Sequence, residues 1–185
     1  EGDSKMGEVR QAERLQRLGT ETAFAVSAEA AAFAARGNKV YAFHLGDMNL
    51  PTPANVVAAM DRAIAEGKTG YCAAAGIAPL REALAADVGA RRGMSFEPAN
   101  VVVQPGGKPV IGKFLLTLMN PGDEVLYPNP GYPIYESQIE FNGGKAVPYR
   151  YVEGKQNFEL EMDEIERLIT PRTRLLIVNS PANPT

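Results

Sequence analysis

From Asn100 onward, extended and helical patterns take strict turns: 101–103 extended, 109–119 helical, 124–127 extended, 132–141 helical, 145–151 extended, 162–169 helical and 174–179 extended. Short runs rich in Val, Ile and Leu mark the strands, and apolar residues three or four apart mark the helices. Such an order leaves few ways to fold. Parallel neighbours require a crossover, a helix fills it, and helices then cover both faces of the sheet. Pro121-Gly122-Asp123 and Asn142-Gly143-Gly144 supply turns between elements. Leu175-Leu176-Ile177-Val178 shows no alternation, the pattern expected of a central strand buried on both faces. The expected class is α/β with a largely parallel sheet.

The first hundred residues are less regular. Glu1 to Val9 are polar and expected to fray. Thr20 is placed to cap a helix that runs to Ala35, with Gly37 as its stop. Tyr41 to Leu45 is expected as a short strand ended by Gly46-Asp47. Pro51 and Pro53 then open a helix whose Val56, Val57, Met60 and Ile64 share one face. A glycine-punctuated loop, Gly67 to Gly76, holds Tyr71, and a helix follows with Leu80, Leu84 and Val88 four residues apart.

Composition narrows the function classes. A chain of 185 residues that is 45% hydrophobic and 22% charged can build an ordinary core. A net charge of −3 argues against nucleic acid or an anionic membrane as the main partner. The single cysteine, Cys72, forms no internal disulfide and suits a reducing compartment. No apolar run approaches the ~20 residues of a membrane span, and no signal-peptide pattern opens the chain, so a cytoplasmic, soluble protein is expected.

One stretch points to a ligand. Val101-Val102-Val103 stops at Gln104-Pro105-Gly106-Gly107, and a helix follows. Two glycines let the backbone come close to a bound group, and a helix start offers unpaired N–H groups to an anion. The plain alternative is a tight strand-to-helix turn without a ligand. The stretch is neither a Walker A loop nor a full G-x-G-x-x-G, and no acidic residue closes the next strand, which speaks against nucleotide binding.

Five motifs in order give the chain a resemblance to the class I/II aminotransferases, pyridoxal-phosphate enzymes of fold type I. Leu45-Gly46-Asp47-Met48-Asn49-Leu50-Pro51-Thr52-Pro53 resembles the family's Gly-Glu-Pro-Asp-Phe-x-Thr-Pro segment. Tyr71, with Gly76 and Leu80-Arg81-Glu82-Ala83, resembles its Tyr-x-x-x-x-Gly-x-x-x-Leu-Arg-x-Ala motif. Gly106-Gly107-Lys108 is similar to its phosphate turn. Pro121-Gly122-Asp123-Glu124-Val125 and Pro128-x-Pro130-Gly131-Tyr132-Pro133-x-Tyr135 follow its next strand and loop. Asn179-x-Pro181-x-Asn183-Pro184-Thr185 resembles the start of its Asn-Pro-x-Asn-Pro-Thr-Gly signature.

The resemblance implies pyridoxal 5'-phosphate as cofactor, an amino acid and a 2-oxo acid as substrates, and a homodimer. It implies residues 1–50 as an amino-terminal arm with part of a smaller domain, and 51–185 as an incomplete cofactor-binding domain. Gly106, Gly107 and Lys108 would cradle the phosphate, Tyr132 would face the ring, and Asn183 would donate to the phenolic oxygen. Tyr71 would reach a partner subunit's cofactor phosphate, and Gly46 would lie near the substrate carboxylate. Each has a plainer reading: a core aromatic for Tyr132, turn chemistry for Asn183, local packing for Tyr71 and a strand-ending glycine for Gly46. Lys108 corresponds to a phosphate-turn position and is not assigned the covalent bond to the cofactor. His44 alternates with apolar neighbours and reads as structural. Glu159, Glu161, Asp163, Glu164 and Glu166 start a helix, where negative charge is favoured, and form a solvated face with no metal site.

Met48-Asn49 departs from the family's Pro-Asp, which leaves substrate choice open at that loop. By the resemblance, three elements fall beyond Thr185: the Asp at the pyridine nitrogen, the lysine that bonds the cofactor, and the Arg that clamps the substrate carboxylate. No catalytic residue is therefore assigned within the chain, which is expected to be inactive alone. Its end on a loop leading out of a strand suggests a partial chain, or one half of a split enzyme completed by a second chain. The alternatives are a β-lyase, an aminocyclopropane-carboxylate-synthase-like enzyme, and a non-catalytic dimerisation or binding module of the same fold.

Overall fold

The computed structural model describes residues 10–19, 22–44, 46 and 50–184. The Thr20 cap, Leu45, Asp47, the Met48-Asn49 departure, the Glu1–Val9 stretch and Thr185 lie outside the described residues. Contacts divide the chain into two compact units, Glu1–Ala28 with Gly107–Thr185, and Glu29–Gly106. Residues 1–50 are shared between them. Helix α1, Thr22–Ala35, spans the first division point, and the second falls inside the glycine turn.

In the unit Glu29–Gly106, helix α2 covers Ala54–Ala65 and helix α3 covers Ala78–Arg92. Pro79 sits in the first turn of α3, where a missing N–H costs nothing. Gly93 ends it at φ 63°. Gly89 is buried, and a Cβ there would stand 2.7 Å from the Met94 carbonyl, too close for a side chain. Arg81 ties α3 to the segment that follows, donating from Nε to the Val101 carbonyl at 2.9 Å and from Nη2 to the Pro98 carbonyl at 2.6 Å. The expected strands at 41–45 and 101–103 do not form among the described residues. Both stretches are extended in sequence character, but a strand is a ladder, and this unit offers the described residues no partner strand. Val103 makes one such bond, from its N–H to the Ala75 carbonyl at 2.9 Å.

The other unit holds the sheet. Strands β1 (Glu124–Pro128) and β2 (Lys145–Tyr149) pair in parallel, and a later strand pairs with β1 on its other side. Between them come β3 (Tyr151–Glu153) and β4 (Phe158–Leu160), which form a separate antiparallel hairpin, and then β5 (Thr173–Leu176). The sheet order is β2-β1-β5. Every residue of β1 is buried. Alternation sends Val125 and Tyr127 to one face and Leu126 to the other. The first face is covered by α4 (Gly107–Leu118) and α5 (Ile134–Phe141), where Leu115, Met119, Val125, Tyr127, Tyr135 and Ile139 form one core. The second carries α6 (Met162–Leu168), whose Ile165 packs with Leu126, Val147 and Tyr149. Burying a side chain such as Leu115 or Ile139 contributes roughly 1.5–3 kcal/mol. The fold is α/β with a parallel sheet and helices on both faces.

Two expectations need correction in this unit. The pattern of 145–151 predicts one strand, but β2 ends at Tyr149 and the chain re-forms as the β3–β4 hairpin, closed by the Gly154 N–H on the Asn157 carbonyl at 2.9 Å. Pro148 is tolerated because β2 is an edge strand. The second concerns 175–178. β5 is an edge strand with alternating burial, and Leu176 and Val178 stay 45% and 57% exposed. Among the described residues β5 has a partner strand on one side only, which leaves that face of the apolar run uncovered.

Both expected turns lie at the amino edge of the sheet, where the Gly122 N–H donates to the Gly143 carbonyl at 2.9 Å. Beside them Glu124 is buried but answered on every side. It accepts from the Thr170 hydroxyl at 2.6 Å, from Arg172 at 2.8 Å and from Lys145 at 3.1 Å. Those donors, Thr170 foremost, hold its carboxyl at about 2. This clamp joins the starts of all three strands.

Candidate functional site

Three segments of the sheet-bearing unit reach one edge. Helix α4 ends beside the amino edge, since Arg174, near the start of β5, donates to the Leu118 carbonyl at 3.0 Å. Its first turn therefore stands at the carboxyl edge. There Val110 and Ile111 share an apolar groove of about 300 Å³ with Ile177 and Val178, which follow β5. The loop after β1 carries Tyr132, and the segment after β5 carries Asn183. Open parallel sheets place ligands at this edge, outside the carboxyl ends of the strands.

Local chemistry explains each position. Gly106 has φ +95°, a region that side chains other than glycine rarely adopt. Gly107 opens α4, and a Cβ added there would meet no atom within 4 Å. The backbone N–H groups of the first turn of α4 are thus the kind that cradle an anion. Lys108 is the second residue of the helix and is exposed. Gly131 is required for another reason, because a Cβ there would clash with the Pro128 carbonyl. That tight passage brings Tyr132 down onto the core, edge-to-face with Tyr135 at 5.8 Å between centroids.

The segment after β5 is tied down at several points. The Ile177 N–H donates to the Leu126 carbonyl at 2.8 Å. Tyr149 and Tyr151 donate from their hydroxyls to the carbonyls of Ile177 and Asn179, at 2.7 and 3.0 Å. Asn179 in turn donates to the Pro181 carbonyl at 3.1 Å and accepts from the Asn183 N–H at 3.2 Å. The Asn183 side chain is exposed. The buried phenols are not bases. Burial, with Glu136 nearby, pushes Tyr127 up to about 12, and burial likewise raises Tyr135 and Tyr149.

Tyr71 and Gly46 belong to the other unit. Tyr71 is fully exposed, and a Cβ added at Gly46 would meet open space. His44 is half-buried, and Cys72 is exposed. Among the described residues no group of three or more His, Cys, Asp or Glu converges as a metal site, and no helix is long and apolar enough to cross a membrane. The motifs include Arg81 and Asn179 without giving them a role in these segments, and Tyr149 and Tyr151 stand outside the motifs. A signal for the tyrosines was present in Tyr149-Arg150-Tyr151, whose alternation puts both phenols on one side.

The family model for aminotransferase class I and II matches residues 39–185. The chain is 36% identical over 172 residues to an aspartate/prephenate aminotransferase of Thermus thermophilus, covering 93% of this chain and 44% of that protein. It is 37% identical to the aspartate/prephenate aminotransferase of Cereibacter sphaeroides, covering 92% and 42%. Among solved structures it superposes on aspartate aminotransferase from Thermus thermophilus with maleate at a TM-score of 0.89 and 35% identity, covering 96% of this chain and 46% of that one. Alanine aminotransferase from Pyrococcus furiosus gives a TM-score of 0.88 at 30% identity, covering 95% and 45%. The chain thus spans less than half the length of the curated relatives it matches.

Proposed function

Because the chain belongs to the class I and II aminotransferases, we propose that it is the amino-terminal part of an enzyme that moves an amino group between an amino acid and a 2-oxo acid. The observation that carries this reading is the turn at 104–108. Gly106 takes a conformation suited to glycine, and Gly107 opens a helix start with free space above it at the carboxyl edge of the sheet. The donor set fits pyridoxal 5'-phosphate. Gly107 and Lys108 would hold its phosphate through backbone N–H groups at the start of α4, while Gly106, whose own N–H donates to the Gln104 carbonyl at 2.9 Å, shapes the turn that leads into them. Tyr132 would offer an aromatic face, and Asn183 would donate to its phenolic oxygen. Bound there, the cofactor supplies an electron sink for the bonds at the substrate's α-carbon. The chain's own contribution is to bind and orient. The covalent lysine, the pyridine-nitrogen partner and the carboxylate clamp are assigned outside residues 1–185.

The remaining assignments follow from the same reading. Residues 1–50 supply an arm and part of a smaller domain, Gly46 lies near the substrate carboxylate, and the protein works as a cytoplasmic homodimer. The uncovered apolar face of α2 and the fully exposed Tyr71 support a subunit partner. Aspartate, named for the relatives, is the first donor to test.

Titration of the chain with pyridoxal 5'-phosphate, followed by absorption, tests the assignment. Saturable uptake is expected, with loss in Gly107→Asp, which puts a side chain and a negative charge into the cradle. Borohydride reduction and peptide mapping should then leave Lys108 unlabelled. Uptake unaffected by Gly107→Asp, or a stoichiometric label on Lys108, would overturn the cradle as described.

A further inference from the structure

Beyond Ile177 the chain leaves the sheet, and residues 177–184 form no regular structure. A segment of this kind, carrying Pro181 and Pro184, has no ladder to fix it, yet the proposed donor Asn183 must point to one place. We propose that Tyr149 and Tyr151 are positioning residues for Asn183, acting on it through Asn179. The proposal rests on the reading of Asn183 as a cofactor ligand.

The geometry is a relay of hydrogen bonds. Tyr149 closes β2 and Tyr151, two residues on, opens β3, and the contact of their rings places both side chains on the same side of the chain. Their acceptors, the carbonyls of Ile177 and Asn179, are also two apart, at 2.7 and 3.0 Å. The spacing of donors matches the spacing of acceptors. The two rings meet edge-to-face at 5.9 Å and 69°, so each restrains the other. Tyr149 is fully buried against Leu126, Val147 and Ile165, which anchors the pair in the core. From Asn179 the restraint passes to its side chain, which holds the Pro181 carbonyl at 3.1 Å and the Asn183 N–H at 3.2 Å. Each link is a single bond to an otherwise irregular backbone. Removing the Tyr151 hydroxyl breaks the link nearest the ligand donor while keeping the ring.

The test compares backbone 15N order parameters of Asn179 and Asn183 in the native chain, Tyr151→Phe, Tyr149→Phe and the control Tyr127→Phe, whose phenol lies towards Glu136. Native values near about 0.85 are expected, falling below about 0.6 in Tyr151→Phe and unchanged in Tyr127→Phe. The amide shifts of Val147 and Ile139 should stay in place, showing an intact fold. Affinity for pyridoxal 5'-phosphate should fall on the order of tenfold in Tyr151→Phe, as in Asn183→Ala. If the buried Tyr149→Phe does not fold, Tyr151→Phe alone decides. Native order parameters already below about 0.6, or no change in Tyr151→Phe, overturn the relay. So does a loosened loop with undiminished affinity when Asn183→Ala binds weakly. Native-like binding by Asn183→Ala, or no saturable uptake by the native chain, sinks the cofactor reading and the proposal with it, whatever the order parameters show.

Discussion

At Gly106 a single backbone angle carries the argument about the ligand. Its φ of +95° excludes an easy exchange for alanine, although a Cβ there would meet no neighbouring atom. The cost is therefore conformational and not steric crowding. Gly106→Ala should lose about 1–3 kcal/mol of stability in urea denaturation, whereas Gly107→Ala should lose far less because that residue is already helical. Equal losses would show that the turn is not set by this angle. Glu124 makes the second residue-scale case. Its carboxyl, ordinarily near 4.5, is held at about 2 by Thr170, Arg172 and Lys145. A carboxylate whose value is depressed in the folded state adds stability above the unfolded value and loses it as pH falls through the folded one. The urea midpoint of the native chain should thus exceed that of Glu124→Gln above pH 4.5 and converge on it between about 4.5 and about 2. A gap that persists unchanged at pH 2 would mean that the charge is not what the clamp uses.

Among the elements, burial within one helix separates structure from surface. Leu115 of α4 is 1% exposed in the core against β1, while its neighbour Leu116 is 67% exposed. Leu115→Ala should cost about 2–5 kcal/mol, and Leu116→Ala should stay within about 0.5 kcal/mol in the same denaturation experiment. Similar losses at both would contradict the packing described. Helices α4, α5 and α6 were legible in the sequence because their apolar spacing is a local property. β1 was legible for the same reason, as a short apolar run between turn residues. What was not legible depends on partners. The run 101–103 looks like a strand but has no partner strand among the described residues, its bonds going to Pro98, Ala75 and Arg81, and 175–178 reads as central while the described strands pair with it on one side only. The β3–β4 hairpin was hidden because Gly154 to Asn157 is a turn whose flanking strands have three residues each. At the site, Gly106, Gly107 and Tyr132 could be picked out by residue type and motif. For Tyr149 and Tyr151 the sequence shows only their alternation, and the bonds they make are not legible because their acceptors lie 28 residues away.

On the scale of the molecule, exposed apolar side chains occur along the whole chain, and one group of them forms a stripe. Val56, Val57, Met60 and Ile64 lie on α2 at helical spacing, and all are exposed, with Met60 at 57% and Ile64 at 56%. Isolated exposed apolar residues need no explanation, but a stripe on one helix face is expected to be covered. Homodimerisation through this face is the cover that the proposed function calls for, and it gives Tyr71 a role, since its ring is fully exposed in its own subunit. A charge placed in the stripe should oppose association without touching a core, so Met60→Glu should fold with native circular dichroism. In sedimentation velocity the native chain should then associate at micromolar concentration, and Met60→Glu should sediment as a monomer. If Tyr71 acts across that interface, Tyr71→Phe should weaken pyridoxal 5'-phosphate binding in the native background but have no further effect in Met60→Glu, where the partner is already lost. An additional loss from Tyr71→Phe in the monomer would place the phenol's action within one subunit. A Met60→Glu chain that still dimerises would move the interface away from α2.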